Sequence, residues 1–340
     1  MSKTKTWILA GAALFLLVSF SGPLNLFHKP SNFPEPVYRF RDNEVTEKGF
    51  NLGRKLFYDP ILSANNTISC GSCHIQSAAF THHGHDISHG IFDLLGKRNT
   101  PAIQNLAWYT SYMWDGGVRD LDLQPIAPIT NPVEMGDTMM AVLRKLNADK
   151  TYPGLFEEAF GSRKITTANL MKALSQFMVM LVSADSKYDK VMRHEGESFT
   201  AEEEAGYKVF REKCNICHKE PLFTDFSFRN NGLPAGEEND EGRYLVSVDE
   251  KDRYTFRVPS LRNLRYTAPY MHDGRFFEID EVLDHYSSGI SESTTLDPVL
   301  RNGSLNPGIR ISDAEKTALK KFLLTLTDTA FIKNQRFAEQ

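Results

Sequence analysis

The sequence contains few cysteines, only four in 340 residues, and it lacks several other features that would define its class. No cysteine follows the apolar stretch near the N-terminus, which excludes a lipoprotein anchor. No run of lysine and arginine is dense enough to indicate a nucleic-acid partner, and the net charge at pH 7 is −4. Strand patterns are scarce, with residues 243–248 and 254–258 as the only modest candidates, so the sequence favours helices.

All four cysteines belong to two copies of one pentapeptide. Residues 70–74 and residues 214–218 both read Cys-x-x-Cys-His, which is the attachment signature of a c-type haem. A zinc site, a redox dithiol and structural disulfides are the alternatives for a Cys-x-x-Cys pair. Each pair here carries its histidine, however, and no cysteine is left over. The sequence therefore predicts two covalently bound haem c groups, attached through Cys70, Cys73, His74, Cys214, Cys217 and His218.

The N-terminal segment 1–21 has the pattern of an export signal. Lys3 and Lys5 precede an apolar stretch, residues 7–20, that is too short for a comfortable membrane span. Thioether attachment of haem takes place outside the cytoplasm, so the two features agree. We expect a periplasmic protein, with an uncleaved membrane anchor as the alternative.

A weak internal repeat surrounds the two haem motifs. Residues 53–57 and 206–210 both read Gly-x-Lys-aliphatic-Phe on a helical pattern. Amphipathic helices are predicted at 165–181 and 312–326, after each motif. Capping boxes support two of the predicted helix starts, Thr200 with Glu203 and Ser312 with Glu315.

These parts are typical of small haem domains. The sequence predicts an all-α fold of two cytochrome c-like domains with long irregular loops, residues 40–190 and 198–330, joined by a polar stretch. The first domain also contains a long insertion, 75–164, rich in glycine, proline and asparagine. Long ordered loops are usually functional, so we expect the feature that separates this chain from a plain electron carrier to lie there.

The ligand opposite each proximal histidine decides what a haem can do. Four histidines follow His74 within fifteen residues, and His89, in a Ser-His-Gly turn, is our candidate for a displaceable ligand of the first haem. For the other three a polar loop or adventitious metal binding is the alternative. They are His82, His83 and His85.

For the second haem, two candidates remain from the residues alone. Met271 is the only methionine after Met192, and it precedes a predicted His-Asp-Gly turn. Tyr286 ends a helical pattern that begins at Ile279, and tyrosine is a known haem ligand. A packed aromatic side chain at a helix end is the alternative for Tyr286.

Five further motifs occur in order around the haem motifs. They are Arg-Asn-Thr-Pro at 98–101, Trp-Asp-Gly-Gly at 114–117, Asn-Pro-Val-Glu-Met at 131–135, Val-Pro-Ser-Leu-Arg-Asn at 258–263 and Thr-Ala-Pro-Tyr-Met-His-Asp-Gly at 267–274. With this set the chain resembles, over residues 45–330, the bacterial dihaem cytochrome c peroxidases and the related MauG-type enzymes.

The resemblance implies roles for individual residues. The first haem would be the peroxidatic one, with Gln124 and Glu134 in its distal pocket and Pro128 over an open face. Glu134 would move a proton between the two peroxide oxygens, and Trp114 would carry electrons between the haems. From the residues alone, Glu134 is also consistent with a helix-start carboxylate, Gln124 with a solvated loop amide and Trp114 with a core indole.

The resemblance further implies a calcium ion between the domains, held by Asn99 and by the backbone carbonyls of Thr267 and Pro269. Arg262 and His272 would support the second haem. The chain mixes two patterns within the family. Tyr286 stands where other dihaem peroxidases have a methionine, as in MauG-type enzymes, whereas His89 stands where those peroxidases keep a distal histidine.

The expected function is reduction of hydrogen peroxide to water with electrons from a small redox protein, a cytochrome c or a cupredoxin. Family resemblance also makes a homodimer an expectation. Two alternatives stay open. The chain could be a MauG-type oxidase that acts on another protein or a small molecule, or a dihaem electron carrier without catalysis.

Overall fold

The computed structural model describes residues 26–236, 238–301 and 307–340. Helices dominate this part of the chain and are joined by long irregular segments, so the prediction of a helical fold is confirmed. The predicted export signal, 1–21, lies outside the described residues. Within the three described ranges, no helix is long and apolar enough to cross a membrane.

The regular elements are short. The helices before residue 200 are α1 (Glu47–Tyr58), α2 (Cys70–Cys73), α3 (Ile126–Thr130), α4 (Met139–Ala148), α5 (Tyr152–Phe160), α6 (Thr167–Val179) and α7 (Lys187–Met192). Those after it are α8 (Ala201–Lys213), α9 (Tyr244–Ser247), α10 (Ile279–Asp284), α11 (Pro298–Arg301), α12 (Asp313–Leu324) and α13 (Thr329–Lys333). Two strands, β1 (Phe228–Arg229) and β2 (Phe256–Arg257), pair antiparallel.

The internal repeat corresponds to two similar helix pairs. Helix α1 packs against α6, and Gly53 of α1 lies against the carbonyl of Ala173. Helix α8 packs against α12, and Gly206 of α8 lies against the carbonyl of Ala318 in the same way. In both pairs the glycine permits the close approach of two helix backbones, because no Cβ separates them. The phenylalanine that ends each repeat, Phe57 or Phe210, packs on a phenylalanine of the partner helix.

Replacing Gly206 with alanine is expected to destabilise the protein by about 1–3 kcal/mol, because the new Cβ would overlap the Ala318 carbonyl. Gly154, in α5, is the matched control, since nothing lies within 4 Å of a Cβ added there. We expect Gly154→Ala to stabilise the protein by about 0.5–1 kcal/mol through its helix propensity. Urea unfolding of both variants measures the difference. Equal free energies of unfolding would contradict the close-packing argument.

The two helix pairs belong to separate hydrophobic cores. The first core extends from Phe27 to Leu181 and also takes in Phe331 and Phe337 near the C-terminus. The second core extends from Tyr188 to Leu326. The chain therefore returns to the first core after α12, and its last residues support the first half.

One strand prediction is wrong. Residues 244–247 form helix α9, and Leu245 and Val248 are exposed, so the apolar run does not enter a core. The Arg243 amide donates to the carbonyl of Thr255, which fixes the chain at that point, and Val248 then adopts a positive φ that ends the helix. The second candidate, 254–258, does contain strand β2.

Arg262 lies in a buried ion pair, and its role toward the second haem stays a prediction. Its guanidinium donates to both carboxylate oxygens of Asp189 at 2.8 Å and also to the carbonyl of Pro221. Neither charged side chain of the pair is exposed to solvent. The adjacent Asn263 donates to Gln104 and Ser183, which are contributed by the first half of the chain. The region around Arg262 therefore joins the two halves.

Candidate haem sites and distal residues

The first Cys-x-x-Cys-His motif is a short helix followed by a fixed histidine. Cys70–Cys73 form α2, and the backbone N–H of His74 donates to the carbonyl of Cys70 at 2.9 Å. The His74 Nδ1 lies 2.9 Å from the carbonyl of Phe80, which can only accept, so Nδ1 carries the proton. Burial lowers the pKa of His74 to about 4. The other ring nitrogen is therefore unprotonated, which is the form that binds iron.

The second motif repeats this arrangement after α8. The backbone N–H of His218 donates to the carbonyl of Cys214, and its Nδ1 lies 3.1 Å from the carbonyl of Pro259. Burial lowers the pKa of His218 as well. No disulfide joins any two of the four cysteines. The donor set at each motif fits a haem c with a proximal histidine.

A cavity of about 230 Å³, which we call the second cavity, adjoins the second motif. Cys214, Cys217 and His218 form one wall, and Met271 and Tyr286 line the same cavity. Most of the remaining lining is apolar, as a porphyrin requires, and it includes Val258, Leu261, Leu264, Ile279, Val282, Leu283, Leu300 and Ile309. The residues present therefore fit a second haem.

Both candidates for the distal ligand of that haem face the cavity. Tyr286 lies in a π-helical turn, His285–Gly289, that continues α10, and such turns are frequent at functional sites. Burial raises the pKa of Tyr286 to about 12, although a hydrogen bond with the Asn231 side chain opposes the increase. The Nδ2 of Asn231 also approaches the sulfur of Met271, at 3.6 Å. The structure thus places Asn231 between the two candidates.

Three of the four loop histidines form a cluster beside the first motif. The rings of His82 and His85 stack with centroids 4.3 Å apart, and the ring of His89 lies 4.7 Å from that of His85. His83 is exposed and makes none of these contacts. The sulfur of Cys73 lies 3.5 Å from the carbonyl oxygen of His89. In the part of the chain that the structure describes, no group of three or more histidine, cysteine, aspartate or glutamate side chains is arranged to hold a metal ion.

His82 differs from the rest of the cluster in having an unsatisfied ring nitrogen. Its Nδ1 is buried and has no hydrogen-bond partner. After burial, the charge of His82 also contributes to the low pKa of His74. An orphaned polar atom in the loop that follows the first motif fits a group that is bound there, as a first haem requires. Sequence reasoning favoured His89 and gave no reason to separate His82 from its neighbours.

Glu134 lies against the segment that carries His89. The amide of Ile91 donates to the carbonyl of Glu134 at 2.8 Å, and a Cβ on Gly90 would lie 2.6 Å from the Glu134 Cα. Glu134 is in the turn between α3 and α4, so the helix-start interpretation does not apply. Burial raises the pKa of its carboxyl group, which accepts a hydrogen bond from Asn131 at 2.7 Å.

Gln124 and Pro128 belong to the same folded-back segment as Glu134. The carbonyl of Pro128, in α3, accepts a hydrogen bond from the amide of Met135 at 3.2 Å. Gln124 precedes α3, and its Nε2 lies 3.5 Å from the sulfur of Met113. Gln124 therefore points toward the segment that leads into Trp114.

Trp114 lies in the wall of the second cavity and is tied to the first-half loop. Its Nε1 donates to the carbonyl of Asn99 at 2.8 Å, and the Asn99 amide donates to the carbonyl of His272. The Asn99 side chain donates to the carbonyl of Asp86 at 3.1 Å, only three residues before His89. This set of bonds connects the surroundings of the two motifs through Trp114.

An ion-pair network that sequence reasoning missed also supports this connection. Arg98 pairs with Asp115 at 2.5 Å and with Asp240 at 2.6 Å, and its guanidinium lies 5.6 Å from the ring centre of Phe256. The Phe256 ring stacks on His272 with centroids 3.7 Å apart. Burial lowers the pKa of His272 to about 4. The Arg-Asn-Thr-Pro motif was a signal for Arg98, but its partners are too distant in sequence to identify.

The three residues expected to bind calcium, Asn99, Thr267 and Pro269, all line the second cavity, as does Trp114. The calcium site itself stays a prediction.

Comparisons with known proteins identify the family of this chain. The family model of the di-haem cytochrome c peroxidases matches residues 47–197. The methylamine utilization protein MauG of Methylorubrum extorquens is 35% identical, over 88% of this chain and 83% of the relative. The cytochrome c551 peroxidase of Pseudomonas aeruginosa is 30% identical, over 79% of this chain and 82% of the relative.

A solved structure shows the same fold. The crystal structure of a MauG-like protein associated with microbial copper homeostasis superposes with a TM-score of 0.81 at 33% identity, covering 91% of this chain and 97% of that one. The sequence motifs, the two fixed histidines and these similarities lead to one assignment. The chain belongs to the di-haem cytochrome c peroxidase family, which includes the MauG-type enzymes.

Proposed function

We propose that this protein reduces hydrogen peroxide to water at a first haem held by Cys70, Cys73 and His74. A second haem, held by Cys214, Cys217 and His218, would serve as the electron reservoir. Bound haem iron supplies the redox chemistry and the site at which peroxide reacts. The observation that carries the proposal is the packing of the Glu134 backbone against Gly90, next to His89, together with the raised pKa of the half-buried Glu134 carboxyl group.

Glu134 would act as an acid and a base on the two peroxide oxygens. Its carboxylate takes the proton from one oxygen and returns it to the other, which departs as water. A raised pKa suits this role, because a group that must both gain and lose a proton works best when its pKa is nearer the operating pH. Asn131 holds the carboxylate in place, and Gln124 would position peroxide in the same pocket.

Other residues would complete the catalytic unit. Trp114 would carry electrons between the haems, since its bonds connect the two sites. His89 would be a displaceable ligand of the first iron. A calcium ion held by Asn99, Thr267 and Pro269 would rigidify the same region.

We also propose a domain organisation, a location and a redox partner for the enzyme. We place the two haem domains at 40–190 and 198–330, and we propose an exported, periplasmic protein that forms a homodimer. The donor would be a small redox protein, a cytochrome c or a cupredoxin, that returns two electrons for each peroxide molecule.

The test is steady-state consumption of peroxide by the holoprotein with a reduced c-type cytochrome as donor. Oxidation of two donor molecules for each peroxide is the expected result. Absence of turnover with both haems attached, as measured by their absorbance, would overturn the proposal.

A second candidate function is oxidation of another protein, as a MauG-type enzyme. The position of Tyr286 in the second cavity favours it, together with the similarity to proteins named MauG. Its test is peroxide-dependent modification of a candidate protein substrate in the absence of any electron donor. Modification with no turnover of reduced cytochrome would favour this function over the first.

We propose Tyr286, rather than Met271, as the distal ligand of the second haem. Replacing Tyr286 with methionine is expected to raise the reduction potential of that haem, because a methionine ligand favours the reduced iron more than tyrosinate does. Met271→Leu is the matched variant and should leave the potential unchanged. Spectroelectrochemical titration of the holoproteins measures both. A potential that responds to Met271→Leu but not to Tyr286→Met would reverse the assignment.

A further inference from the structure

Two buried tyrosines extend from the second cavity into the first core. Tyr109 lines the cavity together with Trp114 and His218. Its ring lies parallel to that of Tyr112, at 14° and with centroids 6.4 Å apart. Both side chains are almost fully buried, at 5% and 6% exposure. The proposed mechanism uses neither residue.

A third tyrosine continues this series to the surface. Tyr38 is half-buried, and its amide donates to the carbonyl of Ala107 at 3.0 Å. The Tyr112 hydroxyl donates to the carbonyl of the adjacent Leu106, at 3.4 Å. Tyr38 and Tyr112 therefore contact the same turn, immediately before Tyr109. Burial raises the pKa of Tyr38, and the neighbouring charges of Asp122 and Tyr112 add to the increase, which agrees with this proximity.

The three phenol groups differ in what could accept their proton. The Tyr38 hydroxyl donates to Asp122 Oδ1 at 2.7 Å, and Asn43 donates to the same hydroxyl at 2.8 Å. An oxidised phenol is a strong acid, so a hydrogen-bonded carboxylate makes its oxidation easier. The Tyr112 hydroxyl donates only to the backbone carbonyls of Leu106 and Tyr109, which are very weak bases.

A neighbouring positive charge also makes Tyr109, the tyrosine next to the second cavity, harder to oxidise. The guanidinium of Arg257 lies 4.5 Å from the centre of the Tyr109 ring. A positive charge on this ring would be repelled at that distance in a buried site. The carboxylate that accepts a hydrogen bond from Tyr38 and the positive charge beside Tyr109 both favour transfer of the oxidising equivalent from Tyr109 toward Tyr38.

We propose that Tyr109, Tyr112 and Tyr38 form a relay that carries an oxidising equivalent from the second haem site to the protein surface, where Tyr38 is oxidised. The relay rests on the proposed peroxidase function, which supplies hydrogen peroxide as the oxidant. It acts when no donor protein is bound. In this state it protects the haem sites by moving the oxidation to a residue that external reductants can reach.

The relay transfers one of the two oxidising equivalents of a peroxide molecule. Tyr38 loses one electron, which passes through Tyr112 and Tyr109 to the second haem site. Its O–H bond breaks, and the proton moves to the Asp122 carboxylate. Tyr38 is left as a neutral phenoxyl radical. One electron from an external reductant and the return of the proton from Asp122 restore both side chains.

The test is to treat the holoprotein with peroxide and a nitroso spin trap, without donor, and to map the adducts by peptide mass spectrometry. The wild type should carry the trap on Tyr38. Tyr112→Phe should lose that adduct although Tyr38 is still present, because the middle of the relay is missing. Asp122→Asn should also lose it, because an amide oxygen keeps the hydrogen bond but takes no proton.

Tyr152→Phe is the matched control. Its hydroxyl also donates to a carboxylate, Asp59, at 2.6 Å, but it lies outside the relay, so the adduct on Tyr38 should persist. Circular dichroism and haem absorbance establish that each variant is folded. If Tyr112→Phe does not fold, Asp122→Asn and direct detection of the phenoxyl radical by electron paramagnetic resonance decide the question.

The outcomes separate the relay from the function on which it rests. Normal peroxide turnover with donor, together with adducts elsewhere or an unchanged Tyr38 adduct in Tyr112→Phe, overturns the relay alone. Loss of the adduct in Tyr112→Phe and Asp122→Asn, with turnover retained, supports it. Absence of both turnover and any adduct in the wild type overturns the peroxidase function and the relay together.

Discussion

Replacing Glu134 with glutamine is expected to lower kcat for peroxide reduction by roughly 10²–10⁴-fold, the usual contribution of a positioned acid–base group. Glutamine matches glutamate in size, and its amide oxygen can still accept the hydrogen bond from Asn131. It cannot take up and return the proton that must move between the two peroxide oxygens. The measurement is steady-state turnover with reduced cytochrome c at equal haem content.

Glu157→Gln is the matched control for this prediction. Glu157 lies on α5, and it pairs with Arg163 on the exposed surface. The same chemical change there should leave kcat unaltered. Wild-type turnover in Glu134→Gln would exclude Glu134 as the acid–base group and would direct attention to the histidine cluster beside the first motif, which holds His82 and its unpaired ring nitrogen.

Local patterns in the sequence predicted most of the helical framework. The capping boxes at Thr200 and Ser312 begin α8 and α12, as predicted, because a cap involves only residues three positions apart. The glycine of each Gly-x-Lys-aliphatic-Phe repeat marks a helix crossing. These features depend on short-range periodicity, which a single sequence contains in full.

Long-range contacts in the candidate site could be predicted only through resemblance. The approach of Glu134 to Gly90 joins residues 44 positions apart by packing between loops, and no periodicity encodes it. The ion pair of Arg98 with Asp240 is an example, because Arg98 belongs to a recognised motif but Asp240 belongs to none. Arg262 shows the same limit, since its motif implied support of the second haem but gave no sign of the buried ion pair with Asp189.

The π-helical turn at His285 illustrates a third limit. Its sequence, His-Tyr-Ser-Ser-Gly, has no signal that distinguishes a π-turn from an α-helical end. The turn widens the helix just where Tyr286 enters the cavity. Tertiary contacts determine such local distortions, so the identity of Tyr286 could be read from the sequence but its placement could not.

Replacing Asp189 with asparagine is expected to destabilise the protein by about 3–5 kcal/mol, because it leaves the charge of Arg262 buried without a counterion. The two side chains are fully buried, and the guanidinium bonds both carboxylate oxygens, so water cannot replace the lost partner. The pair also joins α7 to the second half of the chain. Urea unfolding of the holoprotein at neutral pH measures the loss of free energy.

Asp185→Asn provides the control, because Asp185 is half-exposed and its ion pairs with Lys190 and Arg193 are on the surface. We expect a change of less than about 1 kcal/mol for that variant. Similar free energies of unfolding for the two variants would mean that the buried pair contributes no more than a surface pair.

The same pair predicts how stability depends on pH. Burial alone would raise the pKa of Asp189, but the hydrogen bonds and charge of Arg262 outweigh it, so the net pKa is lowered in the folded protein. A lowered pKa contributes stability that is fully present above the unfolded value, about 4, and is lost as the pH falls through the folded value. The wild type should therefore lose more stability than Asp189→Asn as the pH decreases from about 4. Parallel pH profiles would show that Arg262 does not hold Asp189 in its charged form.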